Sequence, residues 1–302
     1  MERGLHNARR SFRISFPGRL AGVIADAFST GVATAMCYGV EGNDALEPLR
    51  RLSREASASL PFLGRRRDEG YGWHDAVTAA AAGAAVAVEV VPASAWNPNG
   101  KASVVLTDGV HRWDMGGRLS AAEAGEEAEA VRKALSAPEK DVTLDLTAGE
   151  LSIVLDALSL ATATAAMYGS RGEGCRAGLE EVKATLGELL PIPRGHRSEG
   201  YSWHAAMKAM ETADSYEAWV VHPGRPGSVL GSSVMVDAGG KVFEVSDGLK
   251  PEEAEAAAAR VTAFLEEHAP LECERMVRTT ASIQGPEVLP WNREAAHKIV
   301  AE

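Results

Sequence analysis

One eight-residue phrase with chemically versatile side chains occurs twice in this chain, as residues 67–74 and again as residues 197–204. Arginine can hold an anion through paired hydrogen bonds, and tryptophan can stack on a planar group. A histidine beside a carboxylate can transfer protons near neutral pH. Apart from the shared glycine, the residues kept in both copies are therefore candidate ligand-binding residues: Arg67, Glu69, Tyr71, Trp73, His74, Arg197, Glu199, Tyr201, Trp203 and His204.

The same residue types are also typical of a packing anchor at a helix start. Tyrosine and tryptophan two positions apart can fix a helix onto a sheet, and a glutamate near a helix N-terminus favours the helix dipole. The sequence favours this structural interpretation first and a ligand pocket second. Asp26 and Asp156 are secondary candidates, because each lies in an apolar helical run with a serine three residues later. Each is an ordinary helix-surface residue, a residue bonded to the next helix, or a partner for the phrase's arginine or histidine.

The phrase belongs to a longer internal repeat with one constant register, in which His74 corresponds to His204. Matching pairs occur before, within and after the phrase, and no gap is needed to align them. Examples are Asp26-Ala27 with Asp156-Ala157, Tyr38-Gly39 with Tyr168-Gly169, Leu60-Pro61 with Leu190-Pro191, and Val90-Val91 with Val220-Val221. A period this long exceeds that of solenoid repeats and suits a small domain. We therefore predict a tandem duplication that forms an intrachain pseudo-dimer.

Local patterns predict the order β-α-α-α-β-β-β-α for each unit. Residues 11–16 alternate apolar and polar, as a half-buried strand does. Thr147 and Glu150 form a capping box ahead of an apolar helix, and Asp108-Gly109 is a hairpin signal. The second helices are expected over about 44–59 and 177–190, with the repeated phrase at the entry to the third. The fold class is α+β, with a mostly antiparallel sheet covered by helices in each unit.

The domain prediction follows from the repeat. Residues 1–10 form a basic N-terminal arm, 11–137 the first unit, 141–269 the second, and 270–302 a tail with a short helix near 291–300. The three cysteines are odd in number and form no CxxC pair, which favours a reduced, cytoplasmic setting. We expect no membrane span. No phosphate loop, nucleophile elbow or zinc pattern occurs, so no cofactor and no metal are predicted.

Three functions remain open from the sequence. The first is a non-enzymatic binding protein whose two similar surfaces engage a protein partner, for example a two-fold symmetric one. The second is a small-molecule or anion-binding protein, or an enzyme, that uses the two Arg-x-Glu-Gly-Tyr-x-Trp-His clusters. The third is a nucleic-acid-associated protein that uses the arginine-rich stretch of the first unit, residues 50–67, although the net charge of −11 disfavours it. The sequence leans against an enzyme, because no catalytic signature is present.

Overall fold

The computed structural model describes residues 11–62, 69–92, 101–192, 197–222, 231–269 and 274–275. In the first half, the elements are β1 (Phe12–Pro17), α1 (Ala21–Ala35), α2 (Gly39–Ser57), α3 (Glu69–Ala81), β2 (Ala87–Val91), β3 (Ala102–Thr107), β4 (Arg112–Leu119) and α4 (Ala121–Ser136). In the second half, they are β5 (Asp141–Leu146), α5 (Ala148–Ala165), α6 (Gly169–Leu189), α7 (Arg197–Met210), β6 (Ser215–Val221), β7 (Ser232–Ala238), β8 (Lys241–Leu249) and α8 (Pro251–His268). A short β9 (Glu274–Arg275) follows, and the fold is α+β, as predicted.

Several local signals act where the sequence places them. Thr147 and Glu150 form the expected capping box at the start of α5, and Ser120 with Glu123 does the same for α4. The hairpins turn at Gly109 and at Gly239-Gly240, all of which have positive φ angles that glycine tolerates. Local chemistry therefore determines these element ends.

Two boundaries differ from the sequence-based expectation. The second helices α2 and α6 begin at Gly39 and Gly169, several residues earlier than expected. Residues 69–74 of the first copy lie inside α3 and residues 197–204 lie inside α7, so both helices begin within the phrase instead of after it. Its glycines serve close packing: a Cβ on Gly70 would lie 2.5 Å from the backbone carbon of Gly22 in α1.

The first strand of each half pairs with its counterpart instead of joining the sheet of its own half. β1 and β5 are antiparallel, and Ile14 lies opposite Leu144, the residue that corresponds to it in the register of the repeat. The inward side chains, such as Ile14 and Phe16, are buried in a core that both halves share, which explains the pairing. On the outward face, Arg13 donates to Asp145 at 2.9 Å.

The remaining strands form one sheet in each half. The first has the order β2-β3-β4, and the second has the order β8-β7-β6-β9, with β9 parallel to β6. Helices cover these sheets, with α3 and α4 on the first and α7 and α8 on the second. Each sheet and its helices enclose a core of their own.

The third, central core joins the two halves. It is formed mainly by α1, α2, α5 and α6 together with β1 and β5. The helices also cross between halves: α2 contacts α7, and α3 contacts α6. The second helix of each half therefore packs on the third helix of the other half.

One apolar helix and two cysteines bear on the predicted setting of the chain. The segment Ala148–Tyr168 is long and apolar enough to cross a membrane, with a mean hydropathy of 1.5, but 56% of its most apolar stretch is buried inside the fold, as in a core helix. Cys37 is exposed and Cys175 is buried, and both are free thiols. Residues 1–10, Cys273 and the predicted tail helix lie outside the described residues. The cytoplasmic setting and the domain limits stay predictions.

Candidate functional site

The residues within each copy of the repeated phrase lie in different parts of the structure. Arg67 lies outside the described residues, and Glu69 and Arg197 are described only as the first residues of α3 and α7. Glu199 is buried and accepts a hydrogen bond from the backbone N–H of Asp247 at 2.6 Å. This glutamate therefore ties the start of α7 to β8.

The two tryptophans lie in separate cores. Trp73 packs edge-on against Phe62 in the core of the first sheet. Trp203 packs edge-on against Phe264 in the core of the second sheet, and its indole N–H donates to the carbonyl of Ala148 at 3.1 Å. Buried aromatic rings of this kind contribute large apolar area to packing. Each tryptophan therefore fixes its helix onto the sheet of its own half.

The two tyrosines point the other way, into the central core. Tyr71 stacks on Tyr168 with ring centroids 4.1 Å apart, and Tyr201 stacks on Tyr38 at 4.6 Å. Each pair joins one half of the chain to the other, and the register of the repeat relates the two pairs. Tyr38 and Tyr168 were not predicted as site residues, although the repeated Tyr-Gly pair was a usable signal.

The two histidines are buried where the third helix of one half meets the second helix of the other. A ring nitrogen of His204, Nε2, lies 3.2 Å from the carbonyl oxygen of Asp44 in α2. His74 lies beside Gly174 in α6, and Gly174 is the counterpart of Asp44. The exposed fractions are only 5% for His74 and 6% for His204. The candidate site thus brings the histidines to matching contacts between the halves, and it does not join them in one cleft.

Burial keeps both histidines neutral. It lowers the pKa of His74 from 6.5 to about 4, with the nearby Arg19 guanidinium acting in the same direction and Glu139 opposing it. Burial also lowers the pKa of His204, which the carbonyl of Asp44 partly offsets. Neither ring is therefore poised to exchange protons at neutral pH in the folded state.

These pKa shifts predict a loss of stability in mild acid. The unfolded chain takes up protons on these histidines below about pH 6.5, and folded His74 does so only near pH 4. The free energy of unfolding should therefore have its full value above pH 6.5 and should decrease as the pH falls towards 4. His74 alone should account for a decrease of about 3 kcal/mol. Urea unfolding at pH 7.5 and 4.5 measures this loss.

The double variant His74→Gln, His204→Gln should flatten the pH dependence relative to the wild type, whereas His222→Gln at an exposed position should leave it in place. An unchanged slope in the double variant would contradict the assignment.

The secondary candidates occupy matching positions on α1 and α5. Asp26 and Asp156 are both half-buried, with one carboxylate oxygen of each shielded from solvent. Asp26 lines a small cavity with Tyr71 and Tyr168. Asp156 packs against Gly200, whose added Cβ would lie closer than 3.0 Å to its carboxylate. A residue of the repeated phrase thus lies beside the aspartate in each half. Tyr71 lies beside Asp26, and Gly200 lies beside Asp156.

The described arginines of residues 50–67 are engaged in ion pairs. Arg51 contacts Glu55 at 2.8 Å and Glu150 at 2.9 Å, and Arg54 contacts Glu47 at 2.9 Å. Arg65, Arg66 and Arg67 lie outside the described residues. The nucleic-acid hypothesis stays a prediction. These ion pairs neutralise part of the basic surface on which it depends.

No group of three or more metal-binding side chains occurs within the part of the chain that the structure describes. Comparisons of the chain with protein-family models, with curated proteins and with solved structures find no match. A function for this chain therefore has to be inferred from its own geometry.

Proposed function

We propose that this chain is a duplicated, intrachain pseudo-dimer that works as a non-enzymatic binding protein and presents two similar surfaces to a protein partner. Three observations support the duplication: the constant register of the repeat, the β1–β5 pairing that sets Ile14 opposite Leu144, and the two tyrosine stacks between halves. A local two-fold axis would relate each feature to its counterpart.

The observation that carries the binding proposal is the matched exposure of two helix junctions. We call residues 36–40, between α1 and α2, the first junction surface, and residues 166–170, between α5 and α6, the second. Both have the same pattern of exposure, in which only the central tyrosine is half-buried. Met36 is 66% exposed and Val40 80% in the first, and Met167 is 81% exposed in the second.

Exposed methionine suits protein recognition, because its unbranched, polarisable side chain adapts to different apolar partners. The tyrosines beneath these surfaces stack across the two halves, so a partner would contact a rigid base. Two similar surfaces on one chain fit either a two-fold symmetric protein or two copies of one protein. Simultaneous engagement raises avidity without any new contact.

Substitution at the junction surfaces tests this proposal. A partner captured from the native host should bind Met36→Lys or Met167→Lys more weakly by on the order of 100-fold, because each change removes one of two linked contacts. The double variant should lose the partner entirely. Val110→Lys is the matched control, since Val110 is 85% exposed at the tip of the β3–β4 hairpin, away from both junctions.

The binding constant of the purified partner and the mass of its complex provide the measurements. We expect one chain per symmetric dimer, or two partner copies per chain. Full affinity in the double variant would exclude the junction surfaces as the binding sites. The alternative proposal of a ligand pocket in the repeated phrase has weaker support, because its tryptophans and tyrosines face three different cores.

A further inference from the structure

An arginine covers part of the open edge of the first sheet. Among the described residues, strand β2 has β3 as its only hydrogen-bonded neighbour, so its other side is an edge. Arg132 of α4 reaches this edge and donates a hydrogen bond from Nη2 to the carbonyl oxygen of Val88 at 3.0 Å. The other terminal nitrogen, Nη1, contacts Glu129 one turn earlier in α4. This ion pair helps to orient the guanidinium over the strand.

The contact with Arg132 indicates which backbone groups of β2 point away from the sheet. In an antiparallel pair, the N–H and the C=O of one residue both point to the partner strand or both point away from it, and the two cases alternate. A side chain reaches the Val88 carbonyl, so we assign the outward direction to Val88 and, two residues later, to Val90. Outward backbone groups of this kind are a template for pairing with another strand. Arg132 occupies one of their acceptors.

The second half of the chain covers the equivalent edge in a different way. There β9 pairs with β6 in parallel. In the register of the repeat, β9 corresponds to residues 144–145 of β5, which pair with β1 instead. The residue that corresponds to Arg132 is Thr262, which is shorter and uncharged. The same edge thus accepts a strand in the second half and carries an arginine in the first.

We propose that Arg132 is an autoinhibitory contact that prevents β2 from pairing with β2 of a second copy of this chain. The carbonyl of Val88 would accept a hydrogen bond from the second copy in such a pair, and Arg132 already uses that carbonyl. Pairing must therefore displace a charged hydrogen bond, which is stronger than a neutral one. The exposure of Ala87, Glu89 and Val90 leaves the rest of this strand accessible.

A second copy fits this edge in one antiparallel register, which is centred on Val88. It sets Val88 opposite its own counterpart, Val86 opposite Val90, and Ala87 opposite Glu89, so no two carboxylates meet. A register centred on Glu89 would place two carboxylates opposite each other. A register centred on Val90 would bring Pro92, which has no N–H, into the ladder. The favoured register is thus the one that needs the carbonyl bound by Arg132.

Substitution of Arg132 in the full chain tests the proposal. Arg132→Thr introduces the residue type of the second half and should tighten dimerisation on the order of 10- to 100-fold, because pairing no longer displaces a charged hydrogen bond. Sedimentation equilibrium over a range of protein concentrations measures the dimerisation constant. Amide hydrogen exchange at Val88 and Val90 should slow as this variant dimerises. Lys133→Thr is the matched control, since it removes the same charge from the next, exposed residue and should leave the wild-type constant unchanged.

A second substitution locates the association. Val90→Lys, added to Arg132→Thr, should restore the wild-type constant, because a lysine on an edge strand disfavours pairing. Equal dimerisation constants for the wild type and Arg132→Thr would overturn the proposal. So would a dimer of Arg132→Thr that persists with Val90→Lys or leaves exchange at Val88 unchanged. These outcomes do not involve the junction surfaces, so the two proposals fail separately.

Discussion

Alanine in place of Gly42 or Gly172 should destabilise the fold by about 3 kcal/mol or more, and by similar amounts in the two variants. A Cβ at Gly42 would lie closer than 3.0 Å to the carbonyl of Ala35, and a Cβ at Gly172 would meet the carbonyl of Ala165 in the same way. Both obstacles are backbone atoms, so a side-chain rotation cannot relieve them. The corner between the first and second helix of each half would have to open.

Opening the corner between the two helices would also disturb the contact between the two halves. Tyr38 lies in the corner of Gly42, with its Cβ 3.1 Å from the added atom, and it stacks on Tyr201 of the other half. Urea unfolding followed by circular dichroism gives the change in free energy. Gly125→Ala in α4 is the matched control: no atom lies within 4 Å of its added Cβ, so helix propensity should stabilise that variant by up to about 1 kcal/mol. A loss in only one of the two corner variants would contradict the proposed equivalence of the halves.

Trp203→Ala should cost about 3–5 kcal/mol, because it leaves a large cavity in the core of the second sheet. The change also removes the edge-on contact with Phe264 and leaves the carbonyl of Ala148 without its indole donor. Trp203→Phe keeps an aromatic ring in place and should cost clearly less. Denaturant unfolding measures the size of both effects.

Hydrogen exchange locates them. Trp203→Ala should accelerate exchange in β6, β7 and α8 and leave β2, β3 and α4 close to the wild type, because the two sheets have separate cores. Trp73→Ala is the mirror experiment and should accelerate exchange in β2, β3 and α4 only. Equal acceleration in both halves from either variant would show that the cores are not independent.

The repeated phrase illustrates how far sequence reasoning reached. Its repetition marks these residues as a unit, and the packing interpretation agrees with the burial of Tyr71, Trp73, Tyr201 and Trp203. The ligand-pocket interpretation stays a prediction, since Arg67 and the side chain of Arg197 are not described. The opposite orientations of the tyrosine and tryptophan side chains were not predicted. Successive residues of an α-helix are rotated by about 100°, so a tyrosine and a tryptophan two positions apart face nearly opposite sides.

That rotation explains why the tyrosine and the tryptophan of α3, and those of α7, contact different layers of the fold. Once the helix includes the phrase, the tryptophan must face one layer and the tyrosine another. The tryptophan faces the sheet of its own half, and the tyrosine faces the other half. Placing the helix start after the phrase concealed this consequence, although the spacing itself contained it.

The amino-acid sequence by itself determined the order of the elements, the capped helix starts and the glycine hairpins, because each depends on neighbours within a few positions. The constant spacing between the matching pairs of residues could likewise be read directly from the sequence. Only the tertiary structure decided that β1 pairs with β5, that the tyrosines stack across the halves, that a cavity forms beside Asp26, and that Asp156 packs on Gly200. These contacts join residues that are far apart in the sequence. They arise from the shape of packed surfaces, which no local pattern specifies.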